Sequence, residues 1–249
     1  MIEPNTTPDP RAIALEICVD TPAGPAIAAA AGADRVELCS ALALGGLTPS
    51  AGLVETALDA RLPVHAMIRP RPGGFVHRAA DAQAMLADIA ALRGSGVSGF
   101  VLGAATPRGT LDTDLLARCA EAARGLPLTL HRVIDTLPDP VAALEQAIDL
   151  GFARVLTSGG ARTAPEGVEA IARLVRAAAG RIEVMAGGGV TPEAAPKLIS
   201  AGVDALHASC TAPAGAADPM GFGADRAPDP ARIAALKATL TSRDLAPCA

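Results

Sequence analysis

The chain has no tryptophan and no tyrosine, and its only aromatic carbocycles are Phe75, Phe100, Phe152 and Phe222 in 249 residues. It therefore lacks the platforms on which single-stranded bases stack. A surplus of positive charge is missing too. The formal net charge of −5 and an isoelectric point near 5.4 leave no electrostatic footprint for DNA, RNA or anionic lipid. Both absences argue against a nucleic-acid partner. No apolar run approaches the length that spans a bilayer; the longest, around AIAAAAGA, is alanine-rich and stops at Gly32 and Asp34, so a membrane is not an expected partner either. The opening MIEPNTTPDP carries prolines and acids where a signal peptide would carry basic residues and then an apolar run, so residues 1–12 are expected to be a short disordered lead. Five cysteines, an odd number with no compact spacing and no CxxC pair, argue against a disulfide framework and for reduced thiols in the cytoplasm.

What is present is one unit repeated eight times. Strand-like runs occur at ALEICV (14–19), RVELCS (35–40), PVHAMI (63–68), GFVLGA (99–104), PLTLHR (127–132), RVLTSG (154–159), RIEVMA (181–186) and ALHASC (205–210). Between them lie alanine- and leucine-rich stretches at helical period, such as DTDLLARCAEAARG and PEGVEAIARLVRAAAG, most ending in the glycine expected just past a helix. Alternation over eight units at this length predicts a single-domain α/β fold, a (β/α)8 TIM-type barrel over 13–240. The rival, a doubly wound open sheet, lacks a dinucleotide fingerprint. Residues 211–230, rich in Pro, Gly and Ala, read as a long loop after the eighth strand, followed by a last helix from about Ala231 to Leu240 and a tail at 241–249.

Strands of a parallel barrel are covered by helices outside and filled by side chains inside, so a charged residue on either face needs a partner or a function. Period two puts Glu16 with Cys18, Glu37 with Cys39, His65 with Met67, Arg69 and Arg71, His131 with Asp135, and His207 with Ser209. The simplest account points these side chains into the barrel and towards its C-terminal mouth, where barrel enzymes place their chemistry. Glu16, Glu37, His65, Arg69, His131 and His207 are then expected to converge on one cavity. The plainer alternative is a structural network in which Glu16 or Glu37 pairs with Arg69. Glycines at Gly159 and Gly160, beside Ser158, and at Gly187, Gly188 and Gly189 follow strands six and seven. Each run leads towards a helix, so its backbone N–H groups could cradle a phosphate or carboxylate, or could serve tight packing alone. Arg69 and Arg71 are expected opposite these turns, holding an anion from the other side.

The blocks LEICVD, GADRVELCSALALGGLTPS, VHAMIRPR, LHRVIDTLPDPVAALEQAIDLGFARVLTSGG, AGGGV and HAS, in this order over about residues 13–210, resemble the CutC family, named for copper homeostasis. The resemblance implies a TIM-type barrel, and its pattern maps onto Glu16, Glu37, His65, Arg69, Arg71, His131, Arg132, Asp135, Ser158, Gly187, Gly188, Gly189 and His207. The chain departs from that pattern at Pro72, Gly74 and His77, at Ala186 before the triple glycine, and in a shortened segment after Cys210. These departures fall at the expected rim and final loop.

Two functional classes remain open. In one the protein binds or carries copper, for which Cys18, Cys39 and Met67 offer two thiolates and a thioether suited to Cu(I); the same three also suit ordinary barrel filling. In the other the mouth is an enzyme site, a lyase, isomerase or hydrolase acting on a small anionic or phosphorylated molecule. There Arg69 and Arg71 clamp the anion, His131 or His65 moves a proton, and Glu16, Glu37 or Asp135 acts as base or orients a histidine. The partner expected is thus a small-molecule anion or a copper ion. Nothing in the sequence sets the oligomeric state, so a homo-oligomer stays open.

Overall fold

The computed structural model describes residues 13–211, 220 and 227–241. The lead 1–12, most of the 211–230 loop and the tail from 242 lie outside the described residues. Eight strands form a closed barrel in chain order: Ala14–Val19 (β1), Arg35–Leu38 (β2), Val64–Met67 (β3), Gly99–Leu102 (β4), Leu128–Leu130 (β5), Arg154–Thr157 (β6), Glu183–Gly187 (β7) and Ala205–Ala208 (β8). All neighbours are parallel, and β8 closes onto β1 with Ala14 opposite Ala205 and Glu16 opposite His207. The expected barrel is therefore what forms, and the open-sheet rival is ruled out.

Helices Gly24–Ala30 (α1), Ala51–Leu58 (α2), Ala79–Leu92 (α3), Thr113–Ala123 (α4), Pro140–Asp149 (α5), Val168–Ala178 (α6), Ala195–Ser200 (α7) and Pro230–Thr241 (α8) cover the outside. Several begin where a side-chain oxygen accepts a free backbone N–H. Ser50 does so for α2, Asp112 for α4 and Asp139 for α5, at 3.2, 3.1 and 3.0 Å.

The two faces of the strands are chemically distinct. Outward residues such as Leu15, Ile17, Leu38, Phe100, Leu102 and Leu130 are fully buried against the helices in one continuous apolar layer, each worth about 1.5–3 kcal/mol of burial. Inward residues form two small apolar clusters, Cys39–Met67–Val101 and Leu156–Met185–Ala205. The rest of the interior is polar.

Six of the expected strands run too far at their C-terminal ends, β2, β4, β5, β6 and β8 by two residues and β3 by one. There the chain leaves the sheet to build the mouth. After β5, Arg132–Thr136 forms a 3-10 turn, so His131 and Asp135 do not line up along one strand as expected.

Candidate functional site

Glu16 is the hub of the polar interior. Its carboxylate accepts from Arg35 Nε at 2.8 Å, lies 2.7 Å from His207 Nδ1, and stands 3.6 Å from His65 Nδ1. Arg35 also donates to Glu183, which in turn accepts from Arg154 Nε at 2.8 Å. Arg154 reaches Thr129 at 3.4 Å and stands 3.5 Å from His65 Nδ1. Strand register makes this possible, because Glu16 lies opposite Arg35 and Arg154 opposite Glu183. Burial alone would push the Glu16 carboxyl up, but hydrogen bonds to His207 and His65 and the charge of Arg35 hold it well below the usual range.

Above this network, Cys18, Glu37 and His207 each bring one donor atom to a common point, all within 4.8 Å of one another and all buried. Glu37 Oε2 is 3.9 Å from His207 Nε2 and accepts from Cys39 Sγ at 3.3 Å, while Glu37 Oε1 is buried with no partner among the described residues. Burial, with the like charge of Glu16, raises the Glu37 carboxyl, although His207 opposes this. Burial would lower the His207 imidazole, but Cys18, Glu37 and Glu16 outweigh it and raise its pKa well above the ordinary value. A cavity of about 310 Å³ opens at the mouth over Cys18 and His207, walled by Arg132, Gly188, Ser209 and Arg232.

The structure brings together four of the six residues expected to converge: Glu16, Glu37, His65 and His207. His131 faces inward too, but from β5, on the other side. Its Nδ1 accepts the N–H of Val133 at 3.2 Å, its ring lies 4.6 Å from that of Phe75, and its Nε2 is buried without a partner among the described residues. Burial, aided by Arg69, lowers its pKa to about 3. Gly103 makes room for it, since a Cβ there would lie 2.5 Å from His131 Cε1.

Arg69 and Arg71 spend most of their donors on the protein itself; Arg69 Nε is buried with no partner among the described residues. Arg69 donates to the carbonyls of Leu44, Gly46 and Gly73 at 3.1, 3.0 and 2.7 Å and stacks 5.4 Å over Phe75, tying together the loops after β2 and β3. Arg71 pairs with Asp81 at 2.8 Å and caps the carbonyls of Pro72, Gly74 and Val76 on the rim. Nor does Arg69 pair with Glu16 or Glu37; that place belongs to Arg35.

The glycine turn after β6 is occupied by the protein's own carboxylate. Asp135 accepts from the N–H groups of Ser158 and Gly160, from the hydroxyls of Thr157 and Ser158, and from Arg132 Nε. Neither glycine run abuts a helix N-terminus, because α6 starts at Val168 and α7 at Ala195. Gly187 instead gives close packing, as a Cβ would lie 2.6 Å from Leu156.

Of the three soft donors expected to gather, only Cys18 belongs to the three-donor group. Cys39 and Met67 pack with Val101, and burial followed by the charge of Glu37 raises the Cys39 thiol well above its ordinary range. Sequence reasoning missed Arg35, Thr129, Arg154 and Glu183. A signal was available, since Arg35 stands two residues before Glu37 and Glu183 two before Met185, so both share the inward face.

Comparison with known proteins gives a consistent picture. A sequence model of the CutC family matches residues 13–212. The family protein CutC of Sinorhizobium medicae (strain WSM419) is 50% identical over 235 residues, covering 92% of this chain and 96% of that protein. The corresponding protein of Caulobacter vibrioides (strain NA1000 / CB15N) is 48% identical over 240 residues, covering 94% and 98%. The crystal structure titled as a putative copper homeostasis protein CutC from Streptococcus agalactiae superposes with a TM-score of 0.76 at 34% identity, covering 79% of this chain and 98% of that one.

Proposed function

The chain belongs to the CutC family, and on that premise we propose that it binds monovalent copper in the cytoplasm, at the mouth of the barrel, through Cys18, His207 and Glu37. The observation that carries this reading is the buried convergence of one thiol, one imidazole and one carboxylate within 4.8 Å, with Glu37 Oε1 left without a partner among the described residues. A thiolate and an imidazole suit Cu(I), and the carboxylate adds charge balance. Glu16 supports the arrangement. By holding His207 Nδ1 it leaves Nε2 facing Glu37, the carboxylate–histidine pairing that orients metal-binding imidazoles. Copper bound here would be reached from the open cavity rather than sealed in.

Titration with Cu(I) against a competing chelator tests this. Cys18→Ser and His207→Gln are each expected to weaken binding by more than about tenfold, while Cys119→Ser, in the buried face of α4, leaves it unchanged. Equal loss from all three, or no loss from Cys18→Ser, overturns the reading.

A second reading, an acid–base enzyme for a small anionic or phosphorylated substrate, is favoured by one feature. His207 is oriented by a buried carboxylate beside a mouth cavity, as a proton-transferring imidazole requires. In that case His207 moves the proton and Glu16 orients it. His65 sits deeper in the network, and His131 is neutral and spent on Val133.

A further inference from the structure

The guanidinium of Arg132 is fixed at two of its three nitrogens. Nε donates to Asp135 at 2.8 Å, and Nη2 donates to Ser158 Oγ at 2.6 Å and to the Ala161 carbonyl at 3.3 Å. Nη1 makes no hydrogen bond among the described residues. It stands over Gly188, where φ is +99° and a Cβ would come within 3.1 Å of it. A side chain at position 188 would crowd this nitrogen, whereas glycine leaves it open towards the cavity over Cys18 and His207. Arg232, near the start of α8, lines the same cavity. It donates to the Thr211 carbonyl at 3.1 Å, stands 3.7 Å from Asp229, and is half exposed. Ser209 adds a hydroxyl that lies 3.4 Å from Thr211 Oγ1.

Two guanidinium groups and a hydroxyl thus face a hollow whose floor carries a thiol and an imidazole. Its volume, about 310 Å³, is at the small end of the roughly 300–1,000 Å³ usual for small-molecule sites. The neighbouring Asp135 shows what such groups do when a carboxylate is within reach. Arg132, two N–H groups and two hydroxyls close around it.

We propose that the cavity binds a small organic anion by a carboxylate or phosphate group, held between Arg132 and Arg232 and reaching down to Cys18 and His207. Arg132 suits the task because its planar fork is already oriented, so little side-chain freedom is lost on binding. Arg232 adds a second fixed charge from a different element. This deepens the copper reading, on which it partly rests, by naming a further ligand for the site: an anion able to supply an oxygen donor beside the three protein donors. The anion interaction itself needs no metal. It also replaces the expected clamp of Arg69 and Arg71, whose guanidinium groups donate to carbonyls and to Asp81, with the pair that lines the cavity over Cys18 and His207.

Calorimetric titration of the metal-free full chain with inorganic phosphate and, separately, malonate is the test. One site per chain is expected for at least one probe. Arg132→Met should weaken it about tenfold or more, and Arg232→Gln by a smaller factor. Arg181→Gln, which removes an exposed charge paired with Glu145, should leave it unchanged. The tighter probe tells a phosphate ligand from a carboxylate one. Because Arg132 also braces Asp135 and Ser158, circular dichroism checks that Arg132→Met is folded; if it is not, Arg132→Lys and Arg232→Gln carry the test. No binding of either probe, or equal binding by Arg132, Arg232 and Arg181 variants, overturns the proposal. The copper titration of Cys18→Ser decides the metal reading separately, so either can fail alone.

Discussion

His207 and His131 are buried to nearly the same degree, 8% and 4% exposed, and both face inward at the C-terminal end of their strands. Yet their affinities for a proton are shifted in opposite directions. His207, on β8, meets Glu16, Glu37 and Cys18, and its affinity for a proton rises. His131, after β5, meets Phe75, the bare backbone of Gly103 and the cation Arg69, and its pKa falls to about 3. Burial pushes both the same way. The neighbours decide the outcome, and only on the His207 side are there enough acids to reverse the cost of desolvation. That side holds the polar half of the mouth; the other is a packing site in which a histidine serves as a neutral ring with one hydrogen-bond acceptor.

Breaking the charged side should have the largest effect. Glu16→Gln removes a buried negative partner of both Arg35 and His207, leaving their charge only partly compensated by Glu183 and Glu37, and is expected to cost about 3 kcal/mol in urea denaturation. The His207 pKa, followed by NMR, should fall at the same time.

The neutral side should show itself at acid pH. Unfolded histidine takes up a proton near 6.5, whereas folded His131 resists until about 3. Its contribution to stability is therefore lost progressively as pH falls from 6.5 towards 3, by at most about 1.4 kcal/mol per pH unit. His131→Phe should remove that share of the acid limb while costing about 1–3 kcal/mol at neutral pH for the orphaned Val133 N–H. Glu16, whose pKa is lowered, adds to the same limb below 4.5, its contribution being present above that value and lost as pH falls through the depressed one. His207 has the reverse sign: its contribution is full below 6.5 and is lost as pH rises through its raised value. A stability profile of the variants against pH separates the three, and an unchanged acid limb in His131→Phe would falsify the neutral assignment.

Gly103→Ala sharpens the same contrast sterically. The added Cβ would meet His131 Cε1 at 2.5 Å and is expected to cost about 1–3 kcal/mol by thermal or urea denaturation, without altering Cu(I) binding. Smallest of all should be Cys39→Ser on the charged side. Cys39 lies outside the three-donor group, so its loss should change Cu(I) affinity far less than Cys18→Ser does, and an equal effect would return Cys39 to the proposed copper ligands.

Much of this was readable along the chain. All eight strands and the inward phase of Glu16, Glu37, His65 and His207 follow from period two, and the last helix was expected within a residue of its observed limits. Arg69 and Arg71 were misread because they stand just past the strand, where the period no longer determines direction; there, loop carbonyls and Asp81 claim them. The glycine turn after β6 was read as an anion cradle, and it does hold an anion, but one supplied by Asp135. Arg35, Arg154 and Glu183 went unnoticed at or near strand beginnings.

The sequence by itself determined the alternation of elements, the apolar layer between sheet and helices, and which strand residues face inward. These depend on periods of two and 3.6, which are local and survive in any one segment. Only the closed barrel decided which inward groups meet. Glu16 and His207 are 191 residues apart and become neighbours solely because β8 closes onto β1 in a register that sets one opposite the other. Arg35 and Glu183 touch across 148 residues for a related reason, spanning the interior. Charge state follows from those meetings, because the Coulomb and desolvation energies that set a buried pKa depend on distances through space.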